Sequence, residues 1–202
     1  MKPTPDLQDV QYGPHERNVL DLWMAKFDTP TPLVLYIHGG GFFRGDKDTL
    51  RPERLEAYLD AGISVAAVNY RFTIANKAPA PAAYLDGARA LQFLRYNAEK
   101  WNLDPGLVAS TGGSAGAGIS MYMAFHEDLA DPDSSDPIAR QSTRLTCIAV
   151  TNGQCSYDPR FAEQIGIPRP NFEQHQFFLP FYGITEDEID TPRAYQLYEE
   201  AA

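Results

Sequence analysis

The chain has 202 residues, and 17 Lys and Arg against 27 Asp and Glu give it a formal net charge of −10. This length suits one domain with its own core, and 44% hydrophobic with 12% aromatic content excludes a polar disordered chain. The acidic balance excludes a nucleic-acid or anionic-membrane surface built on positive charge. No apolar run reaches the ~20 residues of a membrane helix, and the opening Met1–Asp6 lacks the apolar stretch of a signal peptide. A cytoplasmic protein with no membrane span is the expectation, and the sequence does not address its oligomeric state.

Val19 to Met24 alternates apolar and acidic residues near its start and reads as a half-exposed antiparallel edge strand. Leu33 to Ile37 is a continuous apolar run, as in a strand buried on both faces of a parallel sheet. Leu50 to Ala61 carries Leu55, Tyr58 and Leu59 at helical spacing, with Gly62 at the position of a helix-ending glycine. Ile63 to Tyr70 is the next strand. Tyr84, Leu85, Ala88, Leu91, Leu94, Ala98 and Trp101 mark one face of a long helix. Leu107 to Thr111 is a strand, followed by a glycine-rich turn and a helix to about Leu129. Asp131 to Pro137 is a surface loop, and Leu145 to Thr151 a further strand. This β-β-α-β-α-β-α-β order means an α/β domain, a mostly parallel sheet with helices on both faces.

From 153 to 182 the period is lost among prolines and aromatics; Thr191-Pro192 then opens a short helix with a good N-cap. The expected division is a core over 1–155 and a lid-like or cap-like insertion over 156–202. Cys147 and Cys155 are expected as small buried fillers.

Two motifs carry chemistry. Gly112-Gly113-Ser114-Ala115-Gly116 is a G-x-S-x-G between a strand and a helix. There a serine sits on a strained turn, its flanks must be small, and the helix N-terminus offers N–H groups to a developing oxyanion. The alternative is a glycine-rich turn that only tightens a βα unit or cradles phosphate. The second motif, His38-Gly39-Gly40-Gly41-Phe42, follows the buried strand. Successive glycines let the backbone come close to a bound atom and aim N–H groups at it; alone, the run would be a flexible loop.

Together these motifs resemble the α/β-hydrolase esterases and lipases of the hormone-sensitive-lipase type, over roughly residues 10 to 155. Tyr12-Gly13, Leu20-Asp21-Leu22, Asn69-Tyr70-Arg71, Asp86 to Ala90 and Trp101 to Pro105 support the likeness. Gly113 departs from the family's usual histidine before the serine. The resemblance implies a three-layer α/β-hydrolase fold, Ser114 as nucleophile, and an oxyanion hole made by the backbone N–H groups of Gly40, Gly41 and Ala115. A small-molecule ester is the implied substrate, with no cofactor and no metal. His38 is expected to position its loop rather than act as a base.

In this fold the acid and the histidine follow the serine in the chain. Beyond Ser114 stand only His126, which the helix carries away from the serine, and His175, in the aromatic insertion. Asp158 comes one strand too early for the acid. The expectation is that acid and base lie beyond Ala202 and that the sheet lacks its last strands. A serine ester hydrolase leads; a peptidase or acyl transferase on the same triad, and a non-catalytic binding protein that keeps only the pocket, remain open.

Overall fold

The computed structural model describes residues 2–75, 77–154, 156–166 and 172–201; the side chains of 162, 163 and 172–176 also lie outside the description. Six strands form one sheet: β1 (Leu7–Gln11), β2 (Val19–Trp23), β3 (Thr31–Ile37), β4 (Ser64–Val68), β5 (Leu103–Gly113) and β6 (Cys147–Thr151). Their spatial order is β1-β2-β4-β3-β5-β6. The β1–β2 and β2–β4 pairs are antiparallel; β4, β3, β5 and β6 run parallel.

Period-2 alternation sorts the sheet's side chains into two cores. Trp23, Val65 and Ala67 face α1 (Pro52–Asp60), where Leu50 and Leu55 close a small cluster. Leu20, Leu22, Leu35, Ile37, Ala66 and Val68 face the larger cluster, packed by α2 (Ala82–Tyr96) and α3 (Ala115–Phe125). Among the described residues no helix is long and apolar enough to cross a membrane.

Three expectations need correction. Residues 19–23 are an interior strand: β1 covers their outer edge, and Asp21, the residue that suggested exposure, is buried in an ion pair with Lys47. The helix after Ser114 ends at Phe125. Beyond it Asp128 ties the chain down by accepting from Thr143 N, Thr143 Oγ1 and Ser142 Oγ, and Gln92 donates to the carbonyls of Ala139 and Gln141. Cys147 is exposed, because it stands on β6 at the edge of the sheet; Cys155 lies outside the described residues.

The aromatic segment is more regular than its sequence suggests. It forms α4 (Pro159–Gln164) and α5 (Phe172–Tyr182); the helix expected after it is α6 (Pro192–Glu200), capped by Thr191, whose side chain accepts from Ala194 N. Tyr157, Phe181 and Tyr182 are buried in the larger core, and the Tyr182 hydroxyl donates to Tyr157 O at 2.7 Å.

Candidate active site

β3 and β5 are neighbours in register, Ile37 opposite Gly112. Both chains leave the sheet at the same edge, so the loop 38–42 and the turn at Ser114 emerge side by side. The contact is backbone on backbone. A Cβ on Gly112 would fall 2.5 Å from Ile37 O, one on Gly116 2.1 Å from the same oxygen, and one on Gly39 2.7 Å from Gly113 O. Real carbon atoms do not approach so closely, so these glycines are the condition for the two motifs to meet.

Ser114 has φ 52° and ψ −119°, a conformation that costs an L-residue on the order of 1–3 kcal/mol. Two backbone bonds hold it: Ser114 N donates to Thr151 O at 3.0 Å, and Gly118 N donates to Ser114 O at 3.0 Å. The side chain is half-buried and, among the described residues, its hydroxyl has no hydrogen-bond partner. Ala115 is the first residue of α3, so its N–H has no acceptor inside the helix.

The glycine loop is a tight turn in which Gly40 O accepts from Phe43 N and Arg44 N. Gly40 (φ 121°) and Gly41 (φ 64°) occupy backbone regions that side chains rarely enter. Among the described residues neither N–H donates to a protein acceptor. Phe42 is buried and packs on Phe181, Tyr157 and Tyr84 at ring separations of 5.0, 5.6 and 5.7 Å. The segment after residue 155 therefore abuts the loop directly.

His38 fixes the loop from behind. It is buried, stacks on Tyr70 at 4.4 Å, and its Nδ1 lies 2.7 Å from Gly39 O. A carbonyl can only accept, so Nδ1 carries the proton and Nε2 presents its lone pair to Arg17 Nη2 at 3.5 Å. Arg17 also donates to Tyr70 O at 2.8 Å and Gly45 O at 3.3 Å. Burial, with the Arg17 charge adding to it, pushes the His38 pKa down to about 4. The ring is a neutral strut, in keeping with the positioning role expected of it.

A second anchor follows. Lys47 is buried and its Nζ donates to Asp21 and Asp9, both at 2.9 Å; burial alone would lower its pKa, but the two carboxylates hold it above the ordinary lysine value. Lys47 N donates to Asn69 Oδ1, and Asn69 Nδ2 donates to Asp46. These contacts tie the end of the loop to β2 and to the residue after β4. Sequence reasoning missed Arg17 and Lys47 as supports. Asp21 inside an apolar strand was the one available signal, and the partner across 26 residues was not.

Of the remaining candidates, His126 and Asp158 do not reach the serine. His126 caps the far end of α3, about 18 Å from Ser114 along the axis at 1.5 Å per residue, and stacks on Tyr122 at 3.8 Å. Asp158 is held by Arg160 in a two-pronged ion pair, with Nη2 to Oδ2 at 2.7 Å. The backbone of His175 lies in α5, and its side chain is outside the described residues.

Ser114 opens onto a cleft of about 310 Å³ lined by Gly39, Gly113, Thr151 and Asn152 on one side and Tyr36, Thr49, Arg51 and Arg54 on the other. On the α5 side, an apolar cleft of about 270 Å³ lies between Phe43, Thr73 and Ile74 and the helix residues Phe177 and Pro180.

The strand order, the serine at positive φ between strand and helix, and the glycine loop beside it define an α/β-hydrolase fold. The sequence profile of the BD-FAE family matches residues 20–153, and the chain belongs to that family. It is 33% identical over 151 residues to the carboxylesterase NlhH of Mycobacterium tuberculosis, covering 75% of this chain and 44% of that protein. It is 25% identical to the probable carboxylic ester hydrolase LipM of the same organism, over 94% of this chain and 46% of that one. The chain thus spans less than half the length of these curated relatives. Among solved structures, the acetyl ester-xyloside bifunctional hydrolase of Caldicellulosiruptor lactoaceticus superposes with a TM-score of 0.65 at 23% identity, over 89% of this chain and 61% of the other. Esterase 2 of Thermogutta terrifontis, with butyrate bound, gives 0.70 at 16% identity, over 99% and 66%.

Proposed function

We propose that this chain carries the nucleophile and the oxyanion hole of a serine hydrolase that cleaves carboxylic esters. The observation that supports it most is the pairing of Ile37 with Gly112, which brings the glycine loop beside Ser114. The Ser114 hydroxyl attacks the ester carbonyl. Gly40, Gly41 and Ala115 N–H groups receive the negative charge that develops on its oxygen, each worth on the order of 3 kcal/mol in the transition state. The named activities of the relatives, carboxylesterase and carboxylic ester hydrolase, agree with this reading.

No imidazole or carboxylate among the described residues touches Ser114. The general base and its acid partner therefore come from outside the described residues, and without them the serine stays a protonated, weak nucleophile. Residues 156–202 act as a lid over the loop, and the cleft at Phe43, Ile74, Phe177 and Pro180 takes an apolar part of the ester.

The test is hydrolysis of p-nitrophenyl acetate by the chain with added imidazole as a substitute base. Slow turnover that imidazole raises and Ser114→Ala removes is expected. Turnover unchanged by Ser114→Ala would refute the nucleophile. Turnover lost in His175→Ala, without imidazole, would make that side chain the base.

A further inference from the structure

The cleft in front of Ser114 is cationic in a chain of net charge −10. Arg51 and Arg54 line it, and no carboxylate is among its lining residues. Other arginines are occupied: Arg71 grips Asp86, Arg89 Asp136 and Arg160 Asp158, Arg95 donates to the Pro105 carbonyl and Arg144 to that of His126. The guanidinium groups of Arg51 and Arg54 have no hydrogen-bond or ion-pair partner among the described residues.

Their position works against the helix that carries them. Arg51 is the N-cap of α1 and makes no side-chain cap bond, where Ser, Thr, Asp or Asn would accept from a free N–H. Arg54 stands in the first turn, so both cations sit at the positive end of the helix dipole. Glu53 shares that turn but does not line the cleft. A local rule broken with no packing gain points to a functional demand.

Gly113 supplies the second observation. Its φ is not in the left-handed region, and a Cβ there would meet Thr151 Oγ1 at 3.2 Å and nothing closer. The hard backbone collisions that require glycine at 112 and 116 are absent. Gly113 lines the same cleft as Ser114, Arg51 and Arg54, and with no side chain it leaves that part of the lining open.

We propose that this cleft holds an ionised carboxylate of the substrate, gripped by Arg51 and Arg54 while the scissile carbonyl lies at Ser114. The assignment rests on the ester-hydrolase reading and narrows it to esters that bear a second, free carboxylate. Guanidinium forks match a carboxylate in geometry as well as charge. Thr49 Oγ1 donates to Asp46 O at 2.6 Å and accepts from the Tyr36 hydroxyl at 3.1 Å, which fixes that wall, and Asn152 adds a neutral donor to it.

The experiment is a titration followed at the backbone amides of Gly113, Thr151 and Asn152 by NMR. It compares monomethyl succinate with dimethyl succinate, which shares the skeleton and lacks the charge. The monoester is expected to bind about tenfold tighter, the equivalent of one charge-assisted hydrogen bond. The preference should disappear in Arg51→Gln/Arg54→Gln and shrink with added salt. Equal affinities, a preference that survives the double variant, or shifts that map away from the cleft would each overturn the proposal. Fluorophosphonate labelling of Ser114 separates the two readings. Labelling without anion preference removes the carboxylate site alone. Anion preference without labelling keeps an anion site but removes its assignment to an ester substrate, and so overturns the proposal as stated.

Discussion

Gly116 lies under Ile37: a Cβ on the glycine would sit 2.1 Å from the Ile37 carbonyl oxygen. That contact couples the serine-bearing turn to the strand that launches the glycine loop, so the two halves of the candidate site are set by one packing event. Gly116→Ala must push the helix away from the strand. It should cost on the order of 1–3 kcal/mol or more, whereas Gly113→Ala, with only Thr151 Oγ1 close by, should cost well under 1 kcal/mol. Denaturant midpoints of the two variants check the contrast.

The buried His38 gives stability a pH dependence of known sign. Its pKa is about 4 in the folded chain against about 6.5 in an unfolded one. Between these values the unfolded state binds more protons, so folding weakens as the pH falls. The contribution is intact above about 6.5 and lost progressively toward about 4, an amount on the order of 3 kcal/mol. A urea titration across this range should show it, and His38→Asn should flatten that part of the curve even if the variant starts less stable.

Lys47 and Asp21 stand side by side in the interior, 2.9 Å apart. Removing the lysine leaves Asp21 buried without its cation, so Lys47→Met should lose about 3–5 kcal/mol. Adding Asp21→Leu to that variant should restore much of the loss, because no orphan charge then remains. A double-mutant cycle by chemical denaturation measures the coupling. Little or no coupling between the two positions would mean that Asp9 alone holds the lysine.

The parallel centre of the fold was legible because its residues obey one rule at a time. Leu33–Ile37 is uniformly apolar, and the helix faces repeat cleanly. The two motifs also lie at strand ends, where a turn must follow. Asp21 misled because its buried partner is 26 residues away, and charge in a strand otherwise means solvent. Residues 7–11 went unread, since an exposed edge strand of mixed polarity carries no strong period. Helices α4 and α5 were hidden by Pro159 at the start of one and Pro180 inside the other, whereas Thr191-Pro192 announced α6. Arg51 and Arg54 belong to no motif in the sequence; only the cleft in the folded chain groups them with Ser114.

Strand β6 offers Cys147, Ala149 and Thr151 to solvent at the edge of the sheet and carries no charge or proline to discourage pairing. Ala149→Lys should lower the tendency to aggregate without changing the melting temperature by more than a few degrees. Light scattering at increasing concentration checks it; aggregation unchanged by the lysine would place the sticky surface elsewhere, for instance at the exposed Phe125.

The most direct measurement is peptide mapping by mass spectrometry after treatment with a fluorophosphonate, with and without imidazole. A strained serine beside unpaired N–H donors should take the phosphonyl group on Ser114, faster with imidazole, and Ser114→Ala should take none. Equal labelling of the variant, or modification spread over other serines and tyrosines with Ser114 untouched, would contradict the account.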